Sequence, residues 1–235
     1  MPKEQDRLPP ALRQAKIFTG LSDPDLDALA RYFQIHAVED DTFIAHEGGP
    51  AQTFFILLEG QVKILQTSAE GFEVILHILG PGDIIGALPA IGEGTYPASA
   101  LTIGGAVVAS IDANDFDQLL DQIPQLTKNL LRFATRVVQS SHRKIRELAT
   151  ERVERRIARA LSRLAGQLGR EIEEGILLDF PITRQDLAEL TGTTVYTVSR
   201  ILNEWERQGI LELGRERIVI ITPHRLVEIG EDLPA

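Results

Sequence analysis

Between residues 34 and 112 the chain offers no stretch long enough to serve as a crossover helix. It offers instead a series of short β-prone runs, "DTFIAHEG", "TFFILLEGQVKILQTS", "GFEVILHILGPGD" and "ALTIGGAVVASID", punctuated by glycine and polar turns. Strands joined this closely cannot lie parallel, because a parallel pair needs a long crossover to return to its starting edge. The segment is therefore confined to an antiparallel sandwich or roll. Gly60, Gly71, Gly80 and Gly82 fall where such turns require positive φ or a close backbone approach.

On either side of these runs the hydrophobic period lengthens to that of a helix. Upstream, "SDPDLDALARYF" reads as a short helix capped by Ser22, with Pro24 in its first turn and Leu26, Leu29 and Phe33 on one stripe. Downstream, Leu126, Leu130, Phe133, Val137, Ile145 and Leu148 recur at three- and four-residue spacings over residues 124–148, interrupted by polar Ser141. A helix of that length packs against a copy of itself or against its own β-roll. A further helix follows in "ERVERRIARALSRLAGQLG", with Val153, Ile157, Ala160, Leu161 and Leu164 inward, ending near Gly166 to Gly169. The composition turns from β-rich to helix-rich near residue 149. The expected organisation is an α+β chain: a β-roll over residues 1–123, a long helix over 124–149 and a second domain over 150–235.

Composition excludes whole classes of chemistry. The chain of 235 residues has no cysteine, which removes disulfides, thiolate zinc sites, cysteine-ligated iron–sulfur clusters and cysteine nucleophiles. Its net charge of -10 argues against indiscriminate binding to DNA or membrane, although net charge says little about a local patch. Residues 151–235 carry 12 basic against 15 acidic side chains, and every one of those bases is arginine, whose rigid fork suits phosphates and base edges. No apolar run is long enough to cross a bilayer, and "MPKEQDRLPP" lacks the apolar stretch of a signal peptide. A cytoplasmic protein without a membrane partner is expected.

The chemistry-bearing stretch is "ITRQDLAELTGTTVYTVSRILNEWERQG", residues 182–209. Thr183 sits where a helix cap should be, with Asp186 three residues on as its capping-box partner. Leu187, Ala188 and Leu190 face inward, and Gly192 ends the helix. Thr194 caps the next helix, whose buried side comprises Val195, Val198, Ile201, Leu202 and Trp205. Its other face, Tyr196, Thr197, Ser199, Arg200 and Asn203, is capable throughout of hydrogen bonding. A helix laid in the major groove presents such groups to base edges, and the backbone near Thr183 and Thr194 is placed to hold phosphates. The following "LELGRERIVI" reads as a hairpin with Arg215 and Arg217 at or beside its turn, a wing against the DNA backbone.

Together, "FFILLEGQVKI", "ILGPGDIIG", the long helix and "ITRQDLAELTGTTVYTVSRILNEWERQGIL" resemble the CRP/FNR family of bacterial transcription regulators over essentially the whole chain. The resemblance implies a double-stranded β-helix (jelly-roll) sensor, a dimerisation helix and a C-terminal winged helix-turn-helix. It implies a homodimer on pseudo-palindromic double-stranded DNA that contacts RNA polymerase. Thr183 and Gln185 are similar to the family's phosphate-contacting positions, and Tyr196, Ser199 and Arg200 to its base-facing ones. Tyr196 departs from the family, which usually has a glutamate there to accept from cytosine N4. The half-site is therefore expected to differ opposite that residue.

The family's cyclic-AMP receptors carry a glutamate after a glycine and an arginine–serine pair about ten residues on. The comparable segment here is "GALPAIGEGTYPASA", with Ala87 in place of the glutamate and Pro97–Ala98 near the pair. A cyclic phosphate would meet no cation there, so cyclic-nucleotide binding is not expected. The oxygen sensors' cluster is excluded by the missing cysteines. What remains within the resemblance is a sensor similar to the family's haem-carrying responders to a diatomic gas such as nitric oxide, or one gated by an organic metabolite, and the resemblance places the effector contacts in "GDIIGALPAIG". The candidate haem ligands are His36, His46 and His77, with His142 and His224 further from the roll. A different class, a cupin-like metal enzyme, would need clustered histidines and a glutamate. Only His46 and Glu47 adjoin, so no catalytic residue and no metal site are assigned.

Overall fold

The computed structural model describes residues 8–87, 94–215 and 217–231. The chain divides into two compact units, residues 1–66 with 78–140, and residues 67–77 with 141–235.

The first unit opens with a short helix α1 (Pro10–Arg13), a 3-10 turn (Lys16–Phe18) and α2 (Asp23–Ala30). Ser22 and Asp25 close a reciprocal capping box on α2, with Pro24 in its first turn. The strands are β1 (Gln34–Val38), β2 (Phe43–Ala45), β3 (Thr53–Thr67), β4 (Glu73–Leu79, of which 73–77 are counted with the second unit), β5 (Ile84–Ile85) and β6 (Ser99–Asp112). Two long strands carry the roll: β3 and β6 pair antiparallel from Thr53↔Asp112 to Leu65↔Ser99, shifting register between Leu57 and Glu59 and again between Gly60 and Gln61. β6 also pairs with β1 through Gln34↔Ser110 to Val38↔Ala106 and with β2 through Phe43↔Leu101, while β5 lies on β3. Both register shifts let one strand curve around the roll.

Gly60 shows why that curvature needs glycine. Its φ is 83°, and a Cβ there would lie 2.3 Å from the carbonyl oxygen of Gly105. Gly71 and Gly82 also have positive φ as the turns require, whereas Gly80 does not.

Two apolar cores hold this unit. Inside the roll, Leu57, Val62, Ile85, Tyr96, Ala100 and Val108 pack together. On its flank, Leu12, Ile17, Phe18 and Leu29 meet Phe54, Ile56 and Ile111 of the strands. Helix α3 (Ala113–Gln122) and the start of α4 (Pro124–Thr150) join that second core through Phe116, Leu119, Leu126 and Leu130. Phe54 and Phe116 stack with ring centroids 4.4 Å apart.

The apolar stripe foreseen on the long helix separates into two. Leu126 and Leu130 are buried in the flank core and Phe133 and Val137 are half-buried, whereas Ile145 and Leu148 are exposed. Leu131 and Val138, outside the foreseen stripe, are exposed as well, giving the exposed set Leu131, Val138, Ile145 and Leu148. The first three of these are seven residues apart, so they share one face of α4.

The second unit contains α5 (Val153–Leu168), α6 (Arg184–Thr191), α7 (Val195–Arg207) and α8 (Pro223–Glu231), with a four-stranded sheet in the order β7-β8-β10-β9. β9 (Leu211–Gly214) and β10 (Arg217–Ile220) are the hairpin foreseen in the sequence. β7 (Arg170–Ile172) and β8 (Gly175–Leu178) were not foreseen, while α5 stops at Leu168 with Gly169 as its C-cap, where the sequence placed its end. The core is Ile157, Leu161 and Leu164 of α5 with Leu187, Val198, Ile201, Leu202 and Trp205, all buried.

Candidate DNA-binding site

The two helices α6 and α7 are set by their own caps. The Thr183 hydroxyl donates to Asp186 Oδ2 at 2.6 Å and accepts from the Asp186 N–H at 3.0 Å, and the Thr183 N–H donates back to that carboxylate at 2.9 Å. Asp186 is buried by this exchange. Gly192 then takes the left-handed conformation, φ 61° and ψ 51°, which ends α6 and turns the chain. Thr194 caps α7 by accepting from the Thr197 N–H at 3.2 Å.

α7 is buried on one side through Val198, Ile201, Leu202 and Trp205. On the other side Tyr196 is 78% exposed. Arg200 is exposed and makes no ion pair among the described residues, and Ser199 is half-buried beside it. Two positions differ from the sequence expectation. Val195 was assigned to the buried side but is 38% exposed, because the first turn of α7 projects past its core. Thr197 was assigned to the outer face but is half-buried, its hydroxyl 3.0 Å from that of Thr194, so it completes the cap.

Gln185 is exposed on the first turn of α6, its amide donating to Glu189 Oε1. Arg184, which sequence reasoning passed over, donates from Nη2 to Asn203 Oδ1 at 3.3 Å and so links α6 to the outer face of α7. Its only signal in the sequence was its place directly after the cap. Arg215 is exposed at the tip of the β9–β10 hairpin. Arg217 is half-exposed, 3.8 Å from Glu212 Oε1 across the hairpin. The hairpin is tied to α7 by the Leu213 N–H donating to Glu206 Oε1 at 3.0 Å. Thr183, Gln185, Thr194, Tyr196, Ser199, Arg200, Arg215 and Arg217 thus all belong to one unit, with α7 and the hairpin joined directly.

In the roll, residues 88–93 of the effector segment lie outside the described residues. Its far end is held firmly: the Gly48 N–H donates to the Tyr96 carbonyl at 2.8 Å, the Tyr96 N–H donates to the Gly49 carbonyl at 2.9 Å, and Tyr96 Oη donates to the Thr53 carbonyl at 2.6 Å. Burial pushes the Tyr96 hydroxyl above its ordinary pKa, partly offset by that bond. Ser99 is buried and accepts from the Glu47 N–H, and the Pro97 carbonyl accepts from Gln66. The candidate histidines are scattered. His36 is exposed on β1 with Nε2 2.9 Å from Ser110 Oγ, and exposed His46 lies against the Phe43 ring. His77 is half-buried on β4, while His142 and His224 are exposed on α4 and α8. Among the described residues no three His, Asp or Glu side chains gather as metal ligands. No helix among them is long and apolar enough to cross a membrane.

A β-roll followed by a helix-turn-helix with a hairpin wing defines a DNA-binding transcriptional regulator with an N-terminal sensor domain. Residues 35–123 match the cyclic nucleotide-binding domain, and residues 155–229 match the Crp-like helix-turn-helix domain. The cAMP-activated global transcriptional regulator CRP of Salmonella typhimurium is 31% identical over 201 residues, 85% of this chain and 95% of that one. The cyclic AMP receptor protein of Thermus thermophilus is 27% identical over 93% of this chain and 98% of its own. Among solved structures, FixK2 from Bradyrhizobium japonicum matches with a TM-score of 0.76 at 22% identity, over 86% of this chain and 98% of that one. The chain belongs to the CRP/FNR family.

These matches overturn one expectation. The sensor is not set apart from the cyclic-AMP receptors as a haem-dependent, nitric-oxide-responsive branch, since it matches the cyclic nucleotide-binding domain over residues 35–123 and its relatives include cAMP-activated regulators. The elimination had a physical weakness. Missing cysteines exclude a cluster without selecting haem, and Ala87 with the uncharged pair Pro97–Ala98 was weighed against a whole strand frame. The cupin-like enzyme alternative also gives way to membership in a family of regulators.

Proposed function

We propose that this regulator acts as a homodimer on a pseudo-palindromic operator, contacts RNA polymerase from there, and is switched by a small effector of the cyclic-nucleotide class held in the β-roll. The observation that carries the DNA reading is the outer face of α7, where exposed Tyr196 and exposed Arg200, which makes no ion pair among the described residues, stand on a helix whose N-terminus is capped by Thr194. Arg200 supplies the bidentate fork that suits guanine O6 and N7, while Thr183, Gln185, Arg215 and Arg217 flank it as phosphate contacts. The exposed seam of Leu131, Val138, Ile145 and Leu148 on α4 supports the dimer, since four large apolar side chains on one helix face call for a partner.

The cyclic-nucleotide match over residues 35–123 supports the effector class. Pro97 and Ala98 bring no charge to that segment, which gives the effector reading a direct test. Operator binding and dimerisation are measured first, by selection of binding sites from random DNA and by sedimentation. Arg200→Ala should abolish enrichment of a conserved guanine, and Leu131→Asp should give monomers. Titration calorimetry with cyclic AMP and cyclic GMP then follows, on the natural chain and on Pro97→Arg. Restoring a cation should tighten binding roughly tenfold, as a charge-assisted bond to phosphate does. A chain that binds neither nucleotide, with or without the arginine, would refute the effector class and leave the DNA reading standing.

A further inference from the structure

We infer that Lys144 is a positioning residue of the DNA-reading element: its ammonium closes a cationic clasp on the carboxyl end of α6 and so sets the turn from which α7 departs. The inference rests on α7 being the helix that reads the operator.

The last carbonyls of any helix lack partners within it. At the end of α6 three in succession are each taken by a cation from outside the helix. Lys144 Nζ donates to the Leu190 carbonyl. Arg156 donates from Nε to the Thr191 carbonyl at 2.9 Å and from Nη2 to the Gly192 carbonyl at 3.1 Å. Cations at this end also meet the negative pole of the helix dipole. Arg156 uses its remaining nitrogen, Nη1, on the Glu151 carbonyl at 3.1 Å, just past the end of α4. Gly192 completes the seat, for a Cβ there would lie 2.8 Å from Leu148 Cδ2. The turn between the two reading helices is thus held by Lys144 and Leu148 of α4 and by Arg156 of α5.

The charges around Lys144 are unbalanced. From its own helix it faces Glu147, which is buried and already accepts from Arg163 Nη1 at 2.7 Å. From α5 it faces Arg163 and Arg156, and from α6 the neutral groups of Leu190 and Thr191. Burial, reinforced by Arg163 and Arg156 and opposed by Glu147, lowers the Lys144 pKa from 10.5 to about 8. The sign of the linkage separates two roles. With the folded pKa below the unfolded one, the native state binds fewer protons between about 8 and 10.5, so this group makes folding more favourable as pH climbs through that window. Its charge-assisted bond to Leu190 weakens over the same window. Fold stability and the grip on the turn therefore move in opposite directions.

The experiment measures operator affinity and urea midpoint side by side from about pH 7 to about pH 9.5, on the full-length protein, Lys144→Met and Lys144→Arg. The natural protein should lose roughly tenfold in affinity across that range, and Lys144→Met should start roughly tenfold weaker and stay flat. Relative to Lys144→Met, the natural protein should gain stability over the same interval. The slope of log affinity against log salt should be the same in both, because Lys144 neutralises no phosphate. Lys144→Arg, charged throughout, should keep neutral-pH affinity and lose the alkaline fall. Should that larger side chain fail to fit, the comparison of the natural protein with Lys144→Met still decides. Equal affinity at neutral pH, or the same alkaline fall in both, would overturn the clasp. A salt slope reduced by about one would overturn it too, by making Lys144 a phosphate contact. Arg200→Ala serves as the separate control: if operator binding survives it, the reading of α7 has failed and not the clasp.

Discussion

The strands β3 and β6 and the helix pair α6 and α7 are the two working frames of this protein, and they are built on opposite plans. β3 and β6 join residues as distant as Thr53 and Asp112, and their pairing is adjusted by two register shifts and by a glycine against which another backbone lies. α6 and α7 are specified locally, each by a threonine cap within three residues of the group it binds. Charge is distributed just as differently. The interior of the roll is apolar, with buried Thr102 and Ser99 spent on backbone groups, whereas the helix pair is braced by Lys144 and Arg156. The sensor domain is thus framed over long range, while the DNA-binding helix pair is fixed by its own caps.

Four substitutions test that contrast, taken from the largest effect to the smallest. Trp205→Ala empties the centre of the helix pair, where the indole is 1% exposed, and should remove about 3–5 kcal/mol of stability. Urea unfolding followed by circular dichroism reads it, and a loss near 1 kcal/mol would mean that the core relaxes around the gap. Gly60→Ala asks the matching question of the roll, where it should cost about 2 kcal/mol from positive φ and the collision with Gly105. If the two losses come out equal, the roll is as rigid around its glycine as the reader is around its tryptophan. Tyr196→Glu changes no packing, since the side chain is exposed, but should redirect preference at one base pair by about 1–3 kcal/mol. An unchanged selection profile would remove Tyr196 from base reading. Thr183→Ala removes a cap and should lower stability by about 1 kcal/mol, with a matching decline in affinity if α6 frays.

Legibility in the sequence followed the same division. The caps Ser22, Thr183 and Thr194, the turn at Gly192 and the inward row Val198, Ile201, Leu202 and Trp205 were all readable, because each depends on residues three or four apart. Val195 and Thr197 were misplaced because periodicity describes a helix interior, whereas both sit in a first turn governed by the cap. β7 and β8 escaped notice because "REIEEGILL" is too short and too charged to show an alternating pattern. Arg184 and Arg156 looked like ordinary surface arginines, since their partners, Asn203 and the Thr191 and Gly192 carbonyls, lie 19 and more residues away in the chain.

By itself the sequence determined the antiparallel character of the roll, the helix-turn-helix and the outward face of its second helix. Those features follow from strand spacing, hydrophobic period and capping chemistry, all of which act over a few residues. Only the tertiary structure decided that the apolar stripe of α4 divides between a buried core and an exposed seam, and that Lys144 ends at the carbonyl of Leu190. A side chain's surroundings are set by segments that arrive from elsewhere in the chain, and no local pattern records which segment will arrive.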